Sequence, residues 1–590
     1  MLHTSSEAIQ PDVNETHDIE QTVEQAAVDN LTTRQPLSEG QKGLWVLQKM
    51  HPESSAYNVP IAFSWRQPVD IAVLAQCYQY LLTTFPILTT RIIEEQGELY
   101  QITRAPDLSA FRHENADELS EAHLQQRLQT LSKQTFNLEQ ESLFRMTVWT
   151  SRQQPTTVLL VLHHIITDGR SSALLLSALV NAYHAFINDE LPQSLPQPVS
   201  RYYDFVNAQQ QMLITAEGQA HLTYWQQQLS ELPHLDLAYD YPITANKTSK
   251  GQSVHSSVPP LLTRQLKALA NEHKTSLSDV LLSAFFVLLF RYTGQTDMGL
   301  GMPTLGRHDK RYDEILGYFV NMMVVRAQLK PQQTFSELIK ALQLTVIDGL
   351  DHAAYPFPAL VRTLTHQSPL YQVAFAYQNF APGHDNGWLP ELEFNPDIRQ
   401  EGADALGLEI YEQAGGLQLS MDFDANIFNE SSVLALLKHY TILLAELVKN
   451  PERALSDYDV LTQVEQRLIL NEWNHTPKPN DLNVTEQTLP ELFQQQAKHT
   501  PKRIALIAGK QSISYKELHQ AVRQLTRQLL KLTVKPGDVV AVSLNRSPEA
   551  VISLLAVFQA GAIYLPIDPD LPAARIEVMI NPCWRALISD

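Results

Sequence analysis

The stretch that most constrains the fold runs from Val158 to Phe186: V-L-L-V-L-H-H-I-I-T-D-G-R-S-S-A-L-L-L-S-A-L-V-N-A-Y-H-A-F. Residues 158–162 form a short apolar, β-rich run and predict a buried strand. His163 and His164 sit where that strand stops, and Asp168-Gly169 marks a turn. From Ser171 the spacing turns helical, with Leu174, Leu175, Ala178, Leu179, Ala182 and Tyr183 on one face. Two histidines and an aspartate are thus packed into a strand–loop–helix crossing, where a rigid scaffold can present reactive groups. Neighbouring strand side chains point to opposite faces, so one histidine can pack inward while the other faces a cleft. Read alone, these residues fit hydrogen-bonded structure as well as proton chemistry, and Asp168 could fix the loop by pairing with a distant cation. A zinc site has little to complete it, since the chain has two cysteines and no H-E-x-x-H.

His163-His164-Ile165-Ile166-Thr167-Asp168-Gly169 matches the H-H-x-x-x-D-G signature of nonribosomal peptide synthetase condensation domains, which resemble chloramphenicol acetyltransferase. Further strings agree in order. Ser38, Gln41, Leu44 and Trp45 match S-x-x-Q-x-x-L-W, and Tyr202-Tyr203-Asp204-Phe205 resembles Y-x-D-F. Ile315-Leu316-Gly317-Tyr318-Phe319-Val320-Asn321 through Arg326 is similar to I-G-x-F-V-N…R. Two motifs are degraded: Tyr355-Pro356-Phe357-Pro358 has lost the acid of Y-P-F-E, and Ser368-Pro369-Leu370 keeps only the end of its motif. At 84–90 the usual R-H-E-x-L-R-T is reduced to a leucine and a threonine, which removes a basic and acidic pair.

The resemblance implies an α+β or α/β fold: two chloramphenicol acetyltransferase-like lobes forming a V-shaped pseudo-dimer, with lobes at 36–205 and 206–470. It implies His164 facing a substrate tunnel as base or positioning group, with Gly169 letting the backbone approach substrate. It also implies His163 orienting the loop and Asp168 paired with Arg307, from the segment Pro303-Thr304-Leu305-Gly306-Arg307. Tyr318, Asn321 and Gln378 are the tunnel candidates. Asn321 must be hydrogen-bonded if buried. The substrates would arrive on phosphopantetheine arms of an upstream donor carrier and a downstream acceptor carrier, with no resident cofactor or metal. The partners would be those carriers and the rest of the synthetase module.

The remaining pattern supports a multi-unit chain. At 590 residues it exceeds one core. A net charge of -20 argues against nucleic-acid binding. No apolar run reaches the ~18 residues of a membrane span, and two distant cysteines, Cys77 and Cys583, fit a reducing cytosol. Residues 1–35 are acidic, with no Lys or Arg before Arg34, and read as a disordered leader or a docking segment. Ser38 is expected to cap a helix bearing Leu44, Trp45, Leu47 and Gln48, with Trp45 as a core anchor. Further helices are expected at 73–84, 124–133 and 216–229, and a buried one at 280–292 behind Ser276 and Asp279. Strands are expected at 88–93, 145–149 and 375–379, the last closing the second half.

Residues 463–474 read as a linker helix, 471–488 as the link, and a new unit starts near Leu489. Ile513-Ser514-Tyr515-Lys516-Glu517-Leu518 and residues 559–568 resemble the first two motifs of adenylation domains. The expectation for 489–590 is the truncated N-terminal part of such a domain, without adenylation activity. Amide-bond formation between carrier-bound partners is the expected function. The alternatives are a starter domain that attaches a fatty acyl group and, in another class, a non-catalytic docking scaffold.

Overall fold

The computed structural model describes residues 34–580 and 584–589, except 153, 193–200, 244–250, 365–368, 379–388, 401–403, 414 and 475–486. Most of the acidic leader, Ser368, Asn379, Cys583 and most of the expected link lie outside the described residues. The chain divides into two compact units, 1–466 and 467–590.

The first lobe of the larger unit is a five-stranded sheet. Its strands include β1 (Asn58–Trp65), β2 (Phe111–Asn115), β3 (Phe144–Thr150) and β4 (Thr156–His163). The order is Leu392–Phe394, β1, β4, β3, β2, so the second half of the chain returns one strand to the edge of the first sheet. β4 lies in the middle, antiparallel to β1 and β3, which explains its unbroken apolar run. Helix α1 (Glu39–Met50) starts in a capping box of Ser38 and Gln41. Helix α2 (Ile71–Thr84) buries Leu74, Cys77, Tyr78 and Leu81 and packs on α3 (Gly169–Ile187). Sequence pattern misplaced one detail here. Residues 86–89 form a 3₁₀ turn rather than the start of a strand, because Pro86 sets the first turn and the Thr89 hydroxyl caps back on its carbonyl. Leu47 faces outward, while polar Gln41 and Gln48 share the buried face of α1 with Leu44.

The second lobe is a six-stranded sheet containing β5 (Gly251–Val258), β6 (Asp297–Thr304), β7 (Asn321–Gln328), β8 (Val373–Gln378), β9 (Leu406–Gln413) and β10 (Gly416–Asp424). The order is β7-β6-β8-β9-β10-β5. β8 is therefore interior, parallel to both neighbours, and does not close the sheet as its sequence position suggested. Alternation divides the sheet into two faces: Leu417, Leu419, Met421 and Phe423 of β10 enter the core, and Gln418, Asp422 and Asp424 face the other way.

Helix α4 (Leu277–Thr293) runs through that core, buried at every residue from Asp279 to Phe290, between α5 (Phe335–Asp351) and α6 (Glu430–Lys449). Its start is the expected box of Ser276 and Asp279. Helix α6 alone among the described single helices is long and apolar enough to cross a membrane. Here it is a core helix: Leu437, Tyr440, Leu443 and Leu444 are fully buried, and its His439 pairs with Glu465 at 2.9 Å.

In the smaller unit, Ser514 and Glu517 form a capping box that opens the helix Tyr515–Lys531. Val539–Ser543 is the middle strand of a three-stranded parallel sheet, and Leu518, Val522, Val540 and Ala556 supply its core.

Candidate active site

The site is built where β4 ends. His163 is paired opposite Asn58 of β1, and the next amide, His164 N–H, donates to the Tyr57 carbonyl at 2.8 Å. That last rung fixes where the chain leaves the sheet. Residues His164–Ile166 make one 3₁₀ turn, and Asp168 caps α3 by accepting from Ser171 N–H at 2.7 Å. The turn expected at Asp168-Gly169 is thus a helix N-cap, and Gly169 is the exposed first residue of the helix.

The two histidines are held differently. His163 is buried, and its Nδ1 accepts from Ile165 N–H at 3.1 Å. Its proton therefore sits on Nε2, which faces the Gln48 Oε1 at 3.4 Å. Burial, with the neighbouring His164 adding to it, pushes its pKa down to about 3. His164 Nδ1 lies 2.7 Å from the Thr167 carbonyl, an atom that can only accept. His164 thus carries its proton on Nδ1 and leaves a lone pair on Nε2. Burial lowers its pKa, although the Thr167 carbonyl and the Asp168 charge oppose the shift. A lowered pKa favours the neutral ring at pH 7. Tyr318 meets it edge-on, with ring centroids 5.2 Å apart.

Asp168 and Arg307 are in contact, both almost inaccessible at 4% and 3%. Arg307 donates to the two carboxylate oxygens at 2.6 and 3.3 Å, to Ser171 Oγ at 2.9 Å, and to the carbonyls of Ile315 and Tyr312 at 3.0 and 3.2 Å. Phe319 N–H also donates to Asp168, at 3.0 Å. The Ser171 hydroxyl lies 2.9 Å from the Gly317 carbonyl and 3.0 Å from its N–H. The histidine loop of one lobe is thereby stitched to residues 307–319 of the other. Ser171 is a structural participant that spacing did not reveal. Gln41, whose amide donates to Ile165 O at 3.0 Å, and Gln48 had one available signal. They are polar residues on the apolar stripe of a helix, which must be hydrogen-bonded once buried.

The tunnel candidates separate. Tyr318 stands against His164. Asn321 gives its amide protons to the carbonyls of Ala353 and Tyr355, at 2.9 and 2.8 Å, and accepts from Phe357 N–H at 2.9 Å. Its side chain ties the start of β7 to residues 353–357 and has little left for a ligand. Gln378 ends β8 and donates to Glu409 at 2.5 Å.

Glu409 belongs to an acidic face of the second sheet. Burial, then the charge of Asp422, pushes its pKa up to about 7, and the same two causes push Asp404 to about 6. Because the folded-state pKa of Glu409 lies above its unfolded value, the folded form is favoured most below about pH 4.5. That advantage is lost as pH rises through about 7. Glu409→Gln should therefore raise stability by on the order of 2–3 kcal/mol at pH 8, with the gain shrinking towards pH 4.5. Denaturant titrations of both proteins at the two pH values measure this, and an equal gain at both would contradict it.

The condensation domain family profile matches residues 32–470, and that of AMP-binding enzymes matches 493–588. Among curated relatives, polyketide synthase PksN of Bacillus subtilis is 36% identical over 94% of this chain and 10% of its own length. Tyrocidine synthase 3 of Brevibacillus parabrevis is 30% identical over 94% of this chain and 8% of its length. The chain thus spans a tenth or less of these two relatives. Among solved structures, a four-domain nonribosomal peptide synthetase bound to AMP and glycine superposes with a TM-score of 0.74, at 22% identity over 93% of this chain and 43% of its own. The first condensation domain of the calcium-dependent antibiotic synthetase gives 0.63, at 19% identity over 73% of this chain and all of its own. Motif order, lobe architecture and the profile match agree: the chain belongs to the condensation domain family, acyltransferase-like enzymes of nonribosomal peptide synthesis, followed by the N-terminal part of an AMP-binding domain.

Proposed function

We propose that the larger unit joins a carrier-bound acyl, aminoacyl or peptidyl thioester to the amine of a carrier-bound amino acid, and that His164 serves that step. The observation that carries this reading is the 2.7 Å contact between His164 Nδ1 and the Thr167 carbonyl, which, with a pKa that burial lowers, leaves Nε2 as the accepting nitrogen. An α-amine has a pKa near ~8, so part of it is already neutral and nucleophilic at cellular pH. The amine nitrogen attacks the thioester carbon, the C–N bond forms and the C–S bond breaks. His164 Nε2 accepts or holds the amine proton, and the departing sulfur takes a proton to leave as the carrier thiol. Holding both tethered substrates in one site supplies proximity, and a neutral imidazole contributes about 10²–10⁴-fold.

His163, Asp168 and Arg307 keep the loop in place, and Tyr318 forms the wall beside the imidazole. Gly169 offers exposed backbone at the start of α3. Residues 36–205 and 206–470 serve as the two lobes, 471–488 as the link, and 1–35 as the segment that meets an upstream carrier. Phosphopantetheine arms bring the substrates, so no bound cofactor is needed. Cys77 is a buried free thiol, which suits a reducing cytosol.

The test is a donor panel. Acyl, aminoacyl and peptidyl carriers are offered with a glycyl carrier, and the product on the acceptor is identified by mass. A fatty acyl preference would assign a starter role. The likeness to a polyketide synthase supports including a polyketide-type acyl chain. No amide with any donor would favour the docking scaffold.

A further inference from the structure

The Tyr202 hydroxyl takes part in a directed chain of hydrogen bonds beside the histidine turn. Tyr202 opens the helix Tyr202–Leu213, and its side chain is buried. Its Oη–H donates to the Tyr318 carbonyl at 2.7 Å. With that proton committed, the 3.1 Å contact between Tyr202 Oη and Ser38 Oγ requires the serine to donate. Ser38 Oγ in turn accepts from Gln41 N–H at 3.1 Å. The direction is therefore fixed from end to end: Gln41 N–H to Ser38, Ser38 to Tyr202, Tyr202 to Tyr318. Such a chain polarises and stiffens its members. The Gln41 side-chain amide also holds Ile165 O of the histidine turn at 3.0 Å, so one end of the chain binds the turn and the other, Tyr318, packs on the His164 ring.

Packing closes the same path. A Cβ on Gly317 would lie 2.2 Å from the Tyr202 ring, and one on Gly40 would lie 2.6 Å from the Tyr318 ring. Glycine at both positions lets the two aromatic rings seat fully. The Tyr318 ring thus lies in a slot with Gly40 beside it and the edge-on imidazole of His164 at 5.2 Å. Tyr202 also meets Phe319 edge-to-face at 5.1 Å. The Thr167 bond restrains one nitrogen of His164. The Tyr318 ring edge packs against the imidazole and limits its rotation.

We infer that Tyr202 is a positioning residue for amide formation: through its hydroxyl bond to Tyr318 it sets the plane in which His164 presents Nε2. This rests on the role of His164 given above and adds a residue that touches neither substrate nor imidazole.

Tyr202→Phe, made in the full chain, keeps the ring and removes only the hydroxyl. With the best donor from the panel and a glycyl carrier as acceptor, kcat should fall by about tenfold, while KM for the acceptor stays within twofold. The loosened imidazole becomes better solvated. Its lowered pKa should then move back up, and the acid limb of the rate profile should shift to higher pH. Tyr318→Leu, which removes the ring edge, should give a similar loss, and it serves if the first variant folds poorly. The decisive comparison places Tyr202→Phe in a His164→Ala background. No further loss supports action through His164, whereas the same tenfold loss there would mark a general structural effect and overturn the inference. Full activity of Tyr202→Phe would overturn it as well. If His164→Ala alone keeps most of its rate, the histidine role itself fails, which is a separate outcome read from the single variant. A Tyr202→Phe defect alongside that result would place the tyrosine's action elsewhere and also refute the inference.

Discussion

Replacing His164 with alanine is expected to lower amide formation by about 10²–10⁴-fold without unfolding the protein. Among the described residues the side chain's hydrogen bond is to Thr167 O and its ring contact is the edge of Tyr318. The backbone rung to Tyr57 survives the change, and so does the whole Asp168 network. The loss should fall on kcat, because what disappears is a proton acceptor used in the reacting complex. Single-turnover transfer to a glycyl carrier measures the rate, and circular dichroism with denaturant titration checks the fold. A variant that keeps most of its rate would mean that neither base nor positioning chemistry resides at this residue.

The largest stability effect is expected at the ion pair. Arg307→Ala strands a carboxylate that is 4% exposed, and Asp168→Asn strands a guanidinium that is 3% exposed. Breaking a buried pair from one side commonly costs ~3–5 kcal/mol, because the remaining charge has neither its partner nor water. Arg307→Ala additionally frees the Ile315 and Tyr312 carbonyls. Asp168→Asn retains an oxygen for Ser171 N–H or Phe319 N–H but loses the charge. Both variants should lower the denaturant midpoint of the larger unit, while molecules that remain folded keep a rate closer to the unmodified protein than His164→Ala does. Unchanged midpoints would refute this reading of the pair.

The local parts of this fold were legible because they are set by local physics. Ser38, Ser276 with Asp279, and the apolar face of residues 73–84 fix their helices through caps and periodicity. The run at 158–162 marks a central strand. Contacts made across the chain were not legible in that way. Asp168 and Arg307 are 139 residues apart, and only the family resemblance brought them together. The strand Leu392–Phe394 is too short to carry a pattern, and its place beside β1 depends on tertiary pairing. Gln378 looked free because nothing in its neighbourhood foretells Glu409, which reaches it from the adjacent strand. Ser171 sits in the first turn of a helix, where any small residue would satisfy the pattern. Its function is set by the loop from the other lobe.

The mechanism turns on His164 standing neutral with its proton on Nδ1, and nitrogen NMR of ring-labelled histidine reads that state directly. The His164→Ala spectrum identifies the resonance. At pH 7 the mechanism predicts a protonated Nδ1 and an unprotonated Nε2, persisting below the ordinary histidine pKa of about 6.5 because burial lowers it. An imidazolium at pH 7, or a proton on Nε2, would contradict it.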